Sequence, residues 1–150
     1  MKKVLVILAI FASIGASAQK NYVSASYSYY NRAGTFGQQS MATVEVGKDF
    51  GNVCVGIAGG VTAFTNGNAY VEARVSPTLW KSGRWSVSGS LGVGHIIDAP
   101  TYLLTEYGGA VNCLLGKNIT WRLSSGAYNF NGKNVARKAT YVGTGFSLAF

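Results

Sequence analysis

The chain has 150 residues, of which 48% are hydrophobic and 13% aromatic but only 12% charged, with 13 basic residues against 5 acidic ones for a formal charge of +8. That charge content is about half the usual quarter, too sparse for the water-facing shell of a soluble domain of this size. The surplus cations are scattered singly, without the clustered basic patch and interleaved aromatics of a nucleic-acid surface, which excludes nucleic acid as a partner.

Residues 1–18 read as a cleavable signal peptide. Lys2 and Lys3 form a basic start, an apolar stretch runs from Val4 to Ile14, and Ala16-Ser17-Ala18 precedes the expected cut before Gln19. The apolar run is too short for a spanning helix, which needs roughly 20 residues. The first cysteine is Cys54, so no lipid-anchoring cysteine follows the signal. Residues 19–150 then form one domain, and Ser, Thr, Gly or a charge interrupts every later apolar stretch before it could make a transmembrane helix.

From Asn21 onward the chain alternates at period two, and clusters of Gly, Asn, Asp and Lys cut it into eight candidate strands. In the first, Val23, Ala25, Tyr27 and Tyr29 oppose Ser24, Ser26 and Ser28; in the second, Ala42, Val44 and Val46 oppose Thr43, Glu45 and Gly47. The third, Val53 to Phe64, sets Val53, Val55, Ile57 and Val61 on one side. The fourth, Ala69 to Trp80, sets Val71, Ala73, Val75 and Leu79 against Tyr70, Glu72, Arg74 and Ser76. In the fifth, Trp85, Val87, Leu91 and Val93 oppose Ser86, Ser88, Ser90 and Gly92. The sixth, Tyr102 to Leu115, turns Leu103, Tyr107, Val111 and Leu115 away from Glu106, Gly108 and Asn112. The seventh alternates Ile119, Trp121, Leu123 and Ala127 with Thr120, Arg122, Ser124 and Tyr128, and the eighth alternates Val142, Phe146, Leu148 and Phe150 with Tyr141, Gly143, Gly145 and Ser147.

The links alternate too. Those at Asp49 to Asn52, Lys81 to Arg84 and Gly116 to Asn118 are tight, whereas Asn31 to Gln39, His95 to Thr101 and Asn129 to Lys138 read as longer outer loops, with Thr65 to Asn68 the short exception. Short turns on one side and longer loops on the other fit an outer-membrane barrel with both termini periplasmic. Alternation alone would also suit a soluble barrel or sandwich. Three features favour the membrane: a polar face of Ser, Thr and Gly with few charges; aromatics near strand ends (Tyr29, Tyr30, Phe64, Tyr70, Trp80, Trp85, Tyr102, Trp121, Tyr128, Tyr141) as in interfacial girdles; and strand length. Strands of about 11 residues, tilted near 45°, reach roughly 25 Å, the height of the apolar band. The expected fold is all-β: a closed antiparallel up-and-down transmembrane barrel of eight strands.

With its signal ending Ala16-Ser17-Ala18, its eight alternating segments and its closing Tyr141-Val142-Gly143-Thr144-Gly145-Phe146-Ser147-Leu148-Ala149-Phe150, the chain resembles the small outer-membrane barrels, the OmpX-like proteins and the OmpA transmembrane domain. Gln19 after the cut also resembles exported proteins of Bacteroidota. The resemblance implies fold and outer-membrane location, and covers residues 19–150 as architecture rather than as a residue motif. It further implies that Tyr141, Phe146, Leu148 and Phe150 form the carboxy-terminal signal read by the barrel-assembly machinery.

On this parity Glu45, Glu72, Arg74, Glu106 and Arg122 all point inward. Unpaired buried charges are strongly destabilising, so these five are expected to pair as an interior network, as in the barrels the chain resembles. Arg74→Ala is accordingly expected to lower thermal stability more than Arg32→Ala. Eight strands enclose a space that side chains just fill, which argues against a wide pore. His95 is the lone histidine; Asp98 is its nearest acid and no serine follows two residues on, so a base without a nucleophile argues against catalysis. Cys54 should face inward and Cys113 outward on strands that are not neighbours, which predicts two free thiols. Asn118-Ile119-Thr120 matches a glycosylation acceptor by chance in a tight turn. Arg32, Lys133, Arg137 and Lys138 fall in the outer loops, where they could contact the phosphates of lipopolysaccharide. No cofactor or metal is called for, and a monomer is expected. The reading is a non-enzymatic barrel with a structural or surface-interaction role, whose rivals are an outer-membrane lipid-modifying enzyme and a narrow solute channel.

Overall fold

The computed structural model of the protein describes residues 20–32, 39–62, 69–97, 99–132 and 135–150. The proposed signal peptide, Phe64, Asp98 and Lys133 lie outside them. Each alternating segment forms a strand: β1 (Lys20–Arg32), β2 (Gln39–Asp49), β3 (Val53–Thr62), β4 (Ala69–Ser82), β5 (Trp85–Ile96), β6 (Ala99–Leu114), β7 (Ile119–Gly132) and β8 (Val135–Ala149). Every strand pairs antiparallel with its sequence neighbours, and β1 also pairs with β8, which closes an eight-stranded up-and-down barrel. The backbone bonds between Asn21 and Phe150, donated in both directions, finish this seam.

The side-chain parity read from the sequence holds around the ring. Val44, Ile57, Leu91, Val93, Val142 and Phe146 point outward and lie open, Ile57 at 60% and Leu91 at 62% exposure. Ser28, Thr43, Glu45, Glu72, Arg74, Glu106 and Asn112 point inward and are buried. A hydrocarbon-like outer wall of this extent far exceeds the scattered apolar residues of a soluble surface. Two polar groups on it are matched: the Trp121 indole donates to Thr144 Oγ1 at 2.9 Å, and that hydroxyl donates to the Arg122 carbonyl at 3.2 Å. The outward cations Lys48 and Lys138 and the outward His95 sit toward strand ends.

At the end where β1 begins and β8 finishes, the links from Asp49 to Val53, from Ser82 to Trp85 and from Leu114 to Ile119 are tight. Gly83 takes φ +57° in the two-residue link after Ser82, a conformation that costs an L side chain energy. We call this the turn end.

Three expectations need correction. The long outer loops at His95 to Thr101 and Asn129 to Lys138 are instead strand: β6 begins at Ala99, β7 runs to Gly132 and β8 begins at Val135, with Phe130 opposite Arg137 and Asn129 opposite Lys138. Ladder bonding continues beyond the apolar band because a strand there needs backbone partners but no apolar face. Arg32, Arg137 and Lys138 are therefore strand residues, not loop residues. Second, β4 carries a bulge between Thr78 and Trp80, next to Pro77, which lacks a ladder N–H. It turns both Leu79 and Trp80 outward. Third, Tyr30, Tyr70, Tyr128 and Tyr141 are buried inside the barrel and belong to no outer girdle.

Candidate functional site: the barrel interior

Two packed layers and an open vestibule make up the lumen. At the end opposite the turns, β1, β4, β7 and β8 bring Tyr30, Tyr70, Tyr128 and Tyr141 together with Met41 and Leu104 in one buried cluster. The ring centroids lie 5.2 Å apart for Tyr128 and Tyr141, 5.6 Å for Tyr30 and Tyr128, and 5.8 Å for Tyr30 and Tyr141, within contact range for aromatic pairs. The hydroxyls are not stranded: Tyr30 donates to Met41 Sδ, and Tyr70 shares a 2.7 Å bond with Thr43 Oγ1. This cluster occupies the lumen at that end.

Beneath it lies an ionic layer centred on Arg74. Its Nη1 donates to Glu45 Oε2 at 2.8 Å, its Nη2 donates to Glu72 Oε1 and, at 3.2 Å, to Tyr128 Oη, and its Nε sits 2.8 Å from Glu106 Oε2. That last contact is an ion pair whose alignment falls short of a hydrogen bond. Tyrosine hydroxyls supply two more donors, Tyr22 to Glu45 and Tyr141 to Glu106. Three buried carboxylates thus share a single guanidinium, and Glu72 Oε2 has no hydrogen-bond partner among the described residues. Space for the layer comes from small residues on the facing strands. A Cβ on Gly56 would lie 2.5 Å from Tyr22 Oη and 2.8 Å from the Val46 carbonyl oxygen.

Four of the five predicted interior charges therefore meet, and Arg122 does not join them. It points inward, but its Nε donates to Asn112 Oδ1 at 3.0 Å, and among the described residues it has no carboxylate within ion-pair distance. The reason is height. On β6, Glu106 stands opposite Tyr128 while Asn112 stands opposite Arg122, six positions nearer the turn end.

Below the ionic layer the lumen opens. A cavity of about 40 Å³ touches Arg74 and Glu106, and a larger one of about 290 Å³ reaches the turn end; Ser24, Ser88, Arg122 and Ser147 line both.

Other predicted residues are placed as follows. His95 faces outward with Val71 and Leu103 as its ladder neighbours, neither of which is a nucleophile or an acid. Cys54 faces the lumen of β3, Cys113 lies on β6, and both are free. Phe146, Leu148 and Phe150 point outward and are exposed, whereas Tyr141 is turned in against Glu106. Lys138 lies over the Tyr107 ring, 5.4 Å from its centroid. Among the described residues no cluster of His, Cys, Asp and Glu is arranged to hold a metal. The sequence reading missed Tyr22, Met41 and Leu104; Tyr22 and Leu104 share the parity of Ser24 and Glu106 and could have been found by carrying the alternation to the strand ends.

This architecture, a closed eight-stranded antiparallel barrel with an apolar outside and a polar, plugged inside, is that of the small outer-membrane barrels. Among solved structures, Neisserial surface protein A matches with a TM-score of 0.65 at 8% identity, over 91% of this chain and 99% of that one. The N-terminal β-barrel domain of Pseudomonas aeruginosa OprF matches with a TM-score of 0.59 at 13% identity, over 87% of this chain and 100% of that one. Ail, the attachment invasion locus protein of Yersinia pestis, matches with a TM-score of 0.55 at 13% identity, over 88% of this chain and 97% of that one. Identities this low establish a shared fold. No protein-family model matches the chain, and no curated protein is similar to it in sequence.

Proposed function

We propose that the protein is exported by its signal peptide, residues 1–18, and works in the bacterial outer membrane as a non-enzymatic barrel with a structural or surface-interaction role. In this reading the turn end is periplasmic and the tyrosine-closed end faces the cell exterior. The observation that carries it is the pairing of an apolar outer wall with a lumen shut by Tyr30, Tyr70, Tyr128 and Tyr141: such a barrel is built to sit in lipid without conducting. Two structural neighbours bear names of surface proteins, a surface protein and an attachment protein, which supports the role without specifying a partner. The outward His95, flanked by Val71 and Leu103, speaks against the lipid-modifying alternative.

Arg32, Arg137 and Lys138, together with Lys133, are proposed to meet the phosphates of lipopolysaccharide. The barrel-assembly machinery is proposed to read Phe146, Leu148 and Phe150, with Tyr141, during biogenesis, and the folded protein is proposed to be a monomer. Carbonate washing of envelope fractions and a heat-modifiable gel shift test the reading together. Retention in the membrane, with a faster-migrating unheated band, is the expected result. Release by carbonate would refute outer-membrane residence, and a changed lipid A mass spectrum in expressing cells would refute the non-enzymatic role.

A further inference from the structure

The large cavity at the turn end is electrically lopsided. Lys20, Lys81, Arg84, Lys117 and Arg122 line it, and Asp49 is the one acid among its lining residues. Asp49 is already engaged, since its Oδ1 accepts the Gly51 N–H at 2.7 Å. None of the five cations has a carboxylate within ion-pair distance among the described residues, where every ion pair belongs to Arg74. The four rim cations by themselves would be an ordinary solvated face. Arg122 is different: it stands half-buried on the inner wall of β7, held through Nε by Asn112, with no acceptor for its Nη atoms among the described residues. Hydroxyls of Ser24, Ser86, Ser88, Thr120 and Ser147 surround the same space.

We propose that this vestibule binds a phosphate-bearing anion. A guanidinium anchored by Nε and free at Nη presents the fork that suits phosphate oxygens, amines at the rim add charge without demanding geometry, and hydroxyl donors can serve the remaining oxygens. A volume of about 290 Å³ admits a phosphate group with bound water. Low-dielectric walls focus the field of the cations into the opening. The two sources of such an anion are a soluble phosphate and the headgroup of a neighbouring phospholipid; the chemistry recognised is the same.

Cys54, which lines the cavity, provides a native reporter. In a Cys113→Ser background the folded protein in neutral detergent is treated with a sulfonate-bearing or a trimethylammonium-bearing methanethiosulfonate, each rate being divided by that reagent's rate with 2-mercaptoethanol. The expected result is a normalised preference of roughly tenfold for the anionic reagent, the lower range of electrostatic focusing. Inorganic phosphate should slow the labelling more than chloride at equal ionic strength. Arg122→Gln should abolish the phosphate protection. Lys81→Gln with Lys117→Gln, at the rim and clear of the ionic layer, should reduce the preference even if Arg122→Gln impairs folding. Protection by dissolved phosphate identifies a soluble ligand, and protection that emerges only in phosphatidylglycerol bicelles identifies a headgroup. Equal normalised rates, no labelling by either reagent, or phosphate in neither form outperforming chloride would each overturn the proposal.

Discussion

The two halves of the lumen solve opposite problems with the same eight strands. Toward the tyrosine end, the large buried side chains meet one another: rings lie against rings, and one arginine gathers three carboxylates. Toward the turn end, Arg122 has a single side-chain bond among the described residues and the space around it stays open. The difference teaches that inward parity alone does not make a charge structural; height along the barrel axis decides whether it finds a partner.

The sharpest break in this comparison is to remove each arginine. Arg74→Ala leaves three buried carboxylates without their cation and should cost about 3–5 kcal/mol, whereas Arg122→Ala loses one bond and should cost about 1 kcal/mol. Urea unfolding in micelles, followed by tryptophan fluorescence, measures both; equal midpoints would dissolve the distinction between the halves. Adding Glu45→Gln, Glu72→Gln and Glu106→Gln to Arg74→Met should recover much of the loss, because the neutral amides no longer need a counter-charge.

Next in size is the plug. Tyr128→Ala deletes the ring shared by Tyr30, Tyr70 and Tyr141 and should cost about 3–5 kcal/mol, like other large aromatic truncations. In planar bilayers it should also yield conductance events where the parent barrel gives none. A conducting parent would mean that the tyrosines do not seal the lumen.

Smaller effects test the spacing. Gly56→Ala should crowd Tyr22 and the Val46 carbonyl and cost about 1–3 kcal/mol, seen as a lower temperature of the gel shift. Gly83→Ala places a Cβ at positive φ in a turn with nothing within 4 Å of it, so only backbone strain of about 1 kcal/mol should register. A larger loss at Gly83 than at Gly56 would invert the ranking of core over rim.

Period-two alternation made the fold legible, together with the inward placement of Glu45, Glu72, Arg74, Glu106 and Arg122. What it could not give was shear. Glu106 and Arg122 share a face, yet the β6 and β7 register separates their rows by six positions, roughly 20 Å at 3.3 Å per residue. Adjacent aromatics misled for a related reason: Tyr29 and Tyr30 both sit near a strand end, but one is 58% exposed and the other 2%, since neighbours on a strand face opposite ways. The polar run Asn129 to Lys138 read as loop because apolar alternation stops there, while hydrogen bonding carries on through Gly132 and Val135. The bulge in β4 had a visible marker in Pro77.

The seam between Asn21 and Phe150 has a kinetic consequence. Strands far apart in the sequence, β1 and β8, must meet before the cylinder exists, and until then the first strand offers a raw hydrogen-bonding edge to any passing chain. Closure is thus a late event of long sequence separation, slow by nature, and an incomplete copy would remain an open, adhesive sheet.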